Sequence, residues 1–348
     1  MIHADIDENM YAPDGSVVTR IANQWAMAQY GVKGVPFPYF KQGADFDFRV
    51  IDNTFVTRLA GMDDWIVDYP TYTDYATIKE LVRRVHATLH HVYAFIYDVD
   101  CFRYSDYSLD KDLLLFDGWI CPSEKMTYEL KWRLPQIRER NQGSLEGKNL
   151  YVAGPNAYPY VTRSNTHNGK LVFAGNLSKG KASFLNDVQF KVDAFGLLNF
   201  GLFNNRVTYK GTDDGNQQVL QNRIAKYSAG LVWDDGEMGK PSYLDYERYN
   251  WPCKFDMYLS AGIPVIVHEE SNMAPFVRSN EVGVVVSSLD EVPQAFKLLR
   301  NWSAKDYDRV WEVGSSLGRG QFIRQVLRDI LREPATNTDV FKDESLYL

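Results

Sequence analysis

The chain has 348 residues, 45% of them apolar, and a formal net charge of -7. That length and apolar content exceed a single core and exclude a disordered chain, and the acidic balance argues against a general nucleic-acid binder. Cys101, Cys121 and Cys253 are odd in number and lack metal-ligand spacing, and the six histidines include no HExxH, which argues against a disulfide framework and a dedicated metal site.

No apolar run reaches transmembrane length, and the opening MIHADIDENM is acidic, unlike a signal peptide. The expected location is the cytoplasm, compatible with peripheral membrane association. In chain order, MIHADI is too short and polar for a full first strand. SVVTRIANQWAMAQYG then reads as a helix, with Ser16 capping its start and Gly31 stopping it. Asp64 to Tyr69, His91 to Val99 and Gly118 to Pro122 read as buried strands around an amphipathic helix, Asp74 to His90. Arg138 to Asn149 is polar and reads as a linker. A second series of strands follows: NLYVAG, Lys170 to Leu177, Arg206 to Gly211, Ala229 to Gly236, Gly262 to His268 and Gly283 to Ser288. Asp245 to Gly262 and Leu289 to Leu299 supply helices, and Tyr307 to Leu331 is helical and expected to cross back over the first half.

Two strand-helix series imply an α/β fold of two Rossmann-like domains with mostly parallel sheets, 1–145 and 150–302, followed by helices over 303–348. In such sheets ligands bind beyond the carboxyl ends of the strands. The strand ending at Phe173 runs into AGNLSKG, where Gly175, Asn176, Ser178 and Lys179 offer backbone amides and a cation to phosphate, or form an ordinary strand-to-helix turn. WPCKFDMYLSAGIPVIV sets Lys254 at a helix entrance ahead of an apolar strand. There it neutralises a diphosphate, or it is a solvated lysine; in the first case alanine at 254 weakens nucleotide binding and spares the fold. The strand HVYAFIYDV runs into DVDCFRY, where Asp98 and Asp100 share a face. One is a general base for a hydroxyl, or both cap the loop with Arg103. Ser16 and Thr19 stand where they can reach phosphate or sugar hydroxyls.

As a set, KLVFAGNLSKGKASFL, AGLVWDDG and YNWPCKFDMYLSAGIPVIV resemble the glucosyltransferase 3 family, and GSVVTRIANQWA, DWIVDYPTY, AFIYDVDCFRY and GWICPSEKM resemble its first half. The family comprises bacterial GT-B transferases that extend glycans on serine-rich-repeat adhesins, with relatives that transfer galactofuranose. The resemblance implies a UDP-sugar donor held by the second domain, a glycan or glycoprotein acceptor against the first, and two domains facing across a cleft. It places Asn176, Ser178, Lys179, Tyr249, Asn250 and Lys254 around the donor phosphates, with Ser16 and Thr19 reaching across, and it allows a homo-oligomer. Cys253 stands where the family has histidine, Asp256 where it has serine, and Tyr97–Asp98 where it has a His-Asp pair; Asp256 is left between solvent and sugar. The reaction implied is hexosyl transfer without a metal or other cofactor. The rival readings are a nucleotide-sugar epimerase, which needs no acceptor, and a non-catalytic glycan- or nucleotide-binding partner.

Overall fold

The computed structural model describes residues 1–6, 15–37, 63–71, 75–134, 149–164, 166–178, 180–198, 203–212 and 217–331. The chain divides into two units. Unit 1 takes Met1–Gly154 and the helix from Phe322 onward, and unit 2 begins at Pro155 and runs to Gln321. Among the described residues no helix is long and apolar enough to cross a membrane.

Unit 1 is a six-stranded parallel sheet in the order β2-β1-β3-β4-β5-β6, built from β1 (Ile2–Ile6), β2 (Lys33–Phe37), β3 (Trp65–Tyr69), β4 (Val92–Ile96), β5 (Gly118–Cys121) and β6 (Asn149–Val152). β3 and β4 are buried at every position, as a sheet covered on both faces requires. Helix α1 (Gly15–Gln29) links β1 to β2, and α2 (Tyr75–His86) links β3 to β4. Ile78, Leu81, Val82 and Val85 of α2 are buried at helical spacing, so the predicted amphipathic face is the packed one. A short α3 (Cys101–Tyr104) follows β4, and α4 (Glu124–Arg133) starts at Ser123, whose hydroxyl accepts from the Met126 amide at 3.1 Å.

Two sequence expectations change here. MIHADI does form a strand, and β1 takes an inner place by pairing with both β2 and β3. NLYVAG pairs with β5 and so closes the first sheet, where the sequence reading opens the second series with it.

Unit 2 repeats the plan with β7 (Leu171–Ala174), β8 (Val192–Phe195), β9 (Val207–Tyr209), β10 (Ala229–Leu231), β11 (Val265–His268) and β12 (Gly283–Val286), ordered β12-β11-β10-β7-β8-β9. Helix α5 (Gln217–Ile224) precedes β10. The single helix expected over 245–262 is two, α6 (Tyr243–Tyr246) and α7 (Cys253–Ser260), with Pro252 at the N-cap of α7, where its missing amide costs nothing. Next come α8 (Met273–Asn280), α9 (Val292–Arg300) and α10 (Ala304–Gly318), while α11 (Gln321–Leu331) leads back to unit 1.

Helix α10 starts on a full capping box between Ser303 and Asp306 and packs on α7. The approach is close at Gly314, where a Cβ would lie 1.8 Å from the Leu259 carbonyl oxygen. Gly314→Ala is therefore expected to cost about 2 kcal/mol or more, read as a lower denaturant midpoint at unchanged slope.

Candidate functional site

Each sheet has a point where successive crossovers leave in opposite directions. In unit 2 it lies between β7 and β10, and in unit 1 between β1 and β3. Crevices form there beyond the carboxyl ends of the strands, so the residues just after Ala174, Leu231, Ile6 and Tyr69 are the ones to inspect.

In unit 2, β10 continues into Val232, Trp233 and Asp234, and α7 brings Lys254 to the same place. The Lys254 ammonium donates to the Trp233 carbonyl at 2.7 Å and to Asp234 Oδ1 at 2.6 Å, and it stands 5.0 Å from the centre of the Phe173 ring. The side chains of Lys254 and Asp234 are only 10% and 14% exposed, so this is a sheltered ion pair and not a solvated lysine. Gly175 lies beside it: a Cβ there would come within 3.8 Å of Lys254 Cε.

Beyond β7, Asn176 Oδ1 accepts the Ser178 amide at 2.9 Å, which closes the turn on itself. Lys179 lies outside the described residues. Lys181 stands over the Tyr243 ring at 4.6 Å, and Asp235 accepts the Ser183 and Phe184 amides at 2.7 Å each. Tyr249 and Asn250 sit on the loop between α6 and α7, and Asn250 Oδ1 is buried with no hydrogen-bond partner among the described residues.

Three residues here escaped sequence reasoning. Asp234 and Asp235 fall in AGLVWDDG, which reads as a strand; their adjacency there was the available signal. Glu247, 1% exposed, falls in the helix expected over 245–262. Its neighbours are Asp234 and Lys254, and burial pushes its carboxyl well above the ordinary glutamate range. His268, at the end of β11, accepts the Glu270 amide on Nδ1 at 3.0 Å, and burial lowers its proton affinity.

Asp256 is corrected: it is 0% exposed and accepts from Asn156 Nδ2 at 3.3 Å, both within unit 2. It faces neither solvent nor an open ligand site, and burial drives its carboxyl well above the usual range.

In unit 1, Ser16 belongs to the first turn of α1, and its side chain lies outside the described residues. Thr19 is 1% exposed, so its hydroxyl turns into the unit. The same inner face carries Arg20 and Asn23, which helical periodicity alone would place on the surface. Arg20 Nη2 donates to the Pro70 carbonyl at 3.1 Å, its guanidinium stands 4.8 Å from the Tyr97 ring centre, and Asn23 Nδ2 donates to the Tyr97 hydroxyl at 3.1 Å. Burial keeps the Tyr97 phenol neutral.

Both oxygens of Asp98 accept from Arg103 Nη2, and Arg103 Nη1 reaches Asp100 Oδ1 at 3.3 Å. The two carboxylates are thus brought together on one guanidinium. Asp98-Val99-Asp100 and His86-x-x-x-His90 both have spacings compatible with metal binding. Arg103 occupies the first pair, and the two histidines turn to different carboxylates, Asp117 and Asp64. Below this loop, the Tyr69 hydroxyl lies 2.8 Å from both Asp110 and Asp112, and burial raises Asp110 to about 6.

Residues 171–330 match the family Glucosyltransferase 3-like, C-terminal domain. The chain is 34% identical over 133 residues to Glucosyltransferase 3 of Streptococcus gordonii, covering 36% of this chain and 37% of that protein. It is 26% identical over 172 residues to the beta-1,6-galactofuranosyltransferase WbbI of Escherichia coli, covering 48% and 50%. The chain therefore spans half or less of the length of these curated relatives.

Among solved structures, Anabaena HepE in complex with UDP aligns over 96% of this chain and 100% of that one at TM-score 0.59 and 12% identity. An alpha-glucosyltransferase in complex with UDP aligns over 95% and 99% at TM-score 0.64 and 11% identity. These likenesses show the fold, two Rossmann-like units of the GT-B type.

Proposed function

We propose that this chain, whose residues 171–330 match the glucosyltransferase 3-like C-terminal domain family, is a nucleotide-sugar-dependent hexosyltransferase. It moves glucose, galactose or galactofuranose, or N-acetylglucosamine from a UDP-sugar to a hydroxyl of a glycan or glycoprotein, in the cytoplasm. The carrying observation is the Lys254 ammonium seated at the switch point of the second sheet, beside Gly175 and at the mouth of α7. The donor class is supported by the UDP-bound solved structures that share the fold.

In the reaction the bond from the anomeric carbon to the diphosphate oxygen breaks, and a bond to the acceptor oxygen forms. UDP leaves with the electron pair, and the acceptor hydroxyl gives up its proton. Lys254 and the first amides of α7 take up the charge growing on the diphosphate, with Gly175, Asn176, Ser178, Lys179, Tyr249 and Asn250 as proposed donor contacts. For an inverting outcome Asp98 or Asp100 is the proposed base, which requires Arg103 to release one carboxylate oxygen. A homo-oligomer and peripheral membrane contact are compatible with this reading.

The test is a panel of nucleotide sugars scored for binding, hydrolysis and transfer, with and without EDTA. UDP-sugar binding and transfer that survives EDTA is the expected result. Conversion of the donor without an acceptor would identify an epimerase instead, and binding without turnover a non-catalytic partner. Asp98→Asn is expected to lower the chemical rate about 100-fold or more with little change in donor affinity, the lower end of general-base effects. A normal rate removes Asp98 from catalysis.

A further inference from the structure

Glu247 is an isolated acid in a costly place. It is 1% exposed, and its carboxyl oxygens accept from no donor group among the described residues; the side chain within hydrogen-bonding reach is the carboxyl of Asp234. Its backbone carbonyl is fixed by the Asn272 amide at 2.8 Å, so the residue is held by its chain with its acid facing another acid. The charged groups that reach it are Asp234, on the loop after β10, and Lys254, on α7. The neighbouring cation Arg248 is given to Asp245 at 3.2 Å and Glu270 at 3.0 Å. Lys254 is thus the cation bonded to Asp234, with Glu247 beside the pair.

The charge balance of this cluster decides whether a diphosphate can enter. With Glu247 ionised, Lys254, Asp234 and Glu247 sum to one negative charge in a sheltered place, which repels a dianion. With Glu247 protonated the sum is zero. A second difficulty arises when the Lys254 ammonium turns from Asp234 to the diphosphate, because Asp234 then loses its only charged partner in the cluster. A buried carboxylate without a partner is expensive, and a neighbouring carboxylic acid is the group present that can donate to it.

We infer that Glu247 is a positioning residue that binds the donor diphosphate only through its proton: as an acid it donates to Asp234 and frees Lys254 for the phosphates. The inference rests on the donor reading proposed above. It adds that donor affinity is linked to one proton that belongs to the protein and not to the nucleotide. When the cluster starts ionised, one proton is taken from solvent onto the Glu247–Asp234 pair as UDP binds, and it is returned on release.

The experiment compares UDP dissociation constants of the parent and Glu247→Gln by calorimetry from pH 6 to 9. Glutamine keeps the shape and the amide donor but cannot ionise. The expected result is that parent affinity falls relative to the variant as pH rises, by up to tenfold per pH unit once the proton is lost, while Glu247→Gln stays flat above the ionisation of UDP itself. In the parent alone, the heat of UDP binding at the alkaline end should differ between phosphate and Tris buffers in proportion to proton uptake, which tests the idea even if the variant does not fold. Parallel pH curves for the two proteins, or buffer-independent heats for the parent, overturn this inference while leaving the donor reading standing. Failure of the parent to bind UDP at any pH overturns both.

Discussion

Lys254→Ala is expected to lose UDP binding and also to lower the stability of the protein by about 3–5 kcal/mol, the usual cost of breaking a sheltered pair from one side. The reason is what remains. Asp234 keeps its carboxylate with 14% of its side chain exposed, and Glu247 stays beside it, now without a cation between them. The Phe173 ring loses the ammonium over its face, and the Trp233 carbonyl loses a 2.7 Å donor. Sequence alone suggests that alanine at 254 spares the fold; the ion pair with Asp234 gives the lysine a structural part that this reading lacks. Asp234→Asn in the same chain should recover more than half of the lost stability without restoring UDP binding, since it removes the stranded charge but supplies no cation. Denaturant titrations of the two single variants and the double variant measure the coupling. A cost below about 1 kcal/mol for Lys254→Ala would place the pair among exposed ones that contribute little.

The contrast between the two readings of Lys254 shows where the sequence runs out. Its neighbourhood in the chain was legible: the Gly262–Pro264 break and the apolar strand after it fix a helix running into a parallel sheet, and α7 and β11 are there. Its partner was not legible, because Asp234 lies 20 positions away and is brought in by the pairing of β10 with β7 and β11. The same distinction sorts the fold. Helices α1 and α2 and strands β3, β4 and β5 follow from periodicity and apolar runs, which are local signals. β1 was rated too polar, yet its place is set by two long-range pairings. β8 went unread because VDAF contains an aspartate; its carboxylate is met by Tyr227 at 2.8 Å and Lys170 at 3.4 Å, residues far away in the chain. Arg20 is the same case on a helix: buried to 1% exposure, it is tolerated because a carbonyl and an aromatic face await it.

Asp256→Asn tests the packing that aims Lys254, and its effect should depend on pH with a definite sign. Asp256 lies on α7 two residues after Lys254, fully buried, with Oδ1 unpartnered among the described residues and Oδ2 held by Asn156. Burial raises its folded-state proton affinity, so the folded chain holds a proton there that the unfolded chain has already released. Stability contributed by the protonated form is complete below the unfolded value of about 3.9 and is lost as pH rises, at about 1.4 kcal/mol per pH unit until the folded group itself ionises. Asparagine does not titrate. At pH 4 the variant should match the parent or fall about 1 kcal/mol below it, because its amide nitrogen meets no acceptor where Oδ1 stands. As pH rises the parent weakens relative to the variant, so the two curves cross and Asp256→Asn becomes the more stable protein at neutral pH. Other buried acids, Glu247 and Asp110 among them, titrate in both proteins and cancel in the difference. A gap that stays constant from pH 4 to 8 would mean that Asp256 carries no proton in the folded chain, and that α7 is anchored by an ionised carboxylate instead.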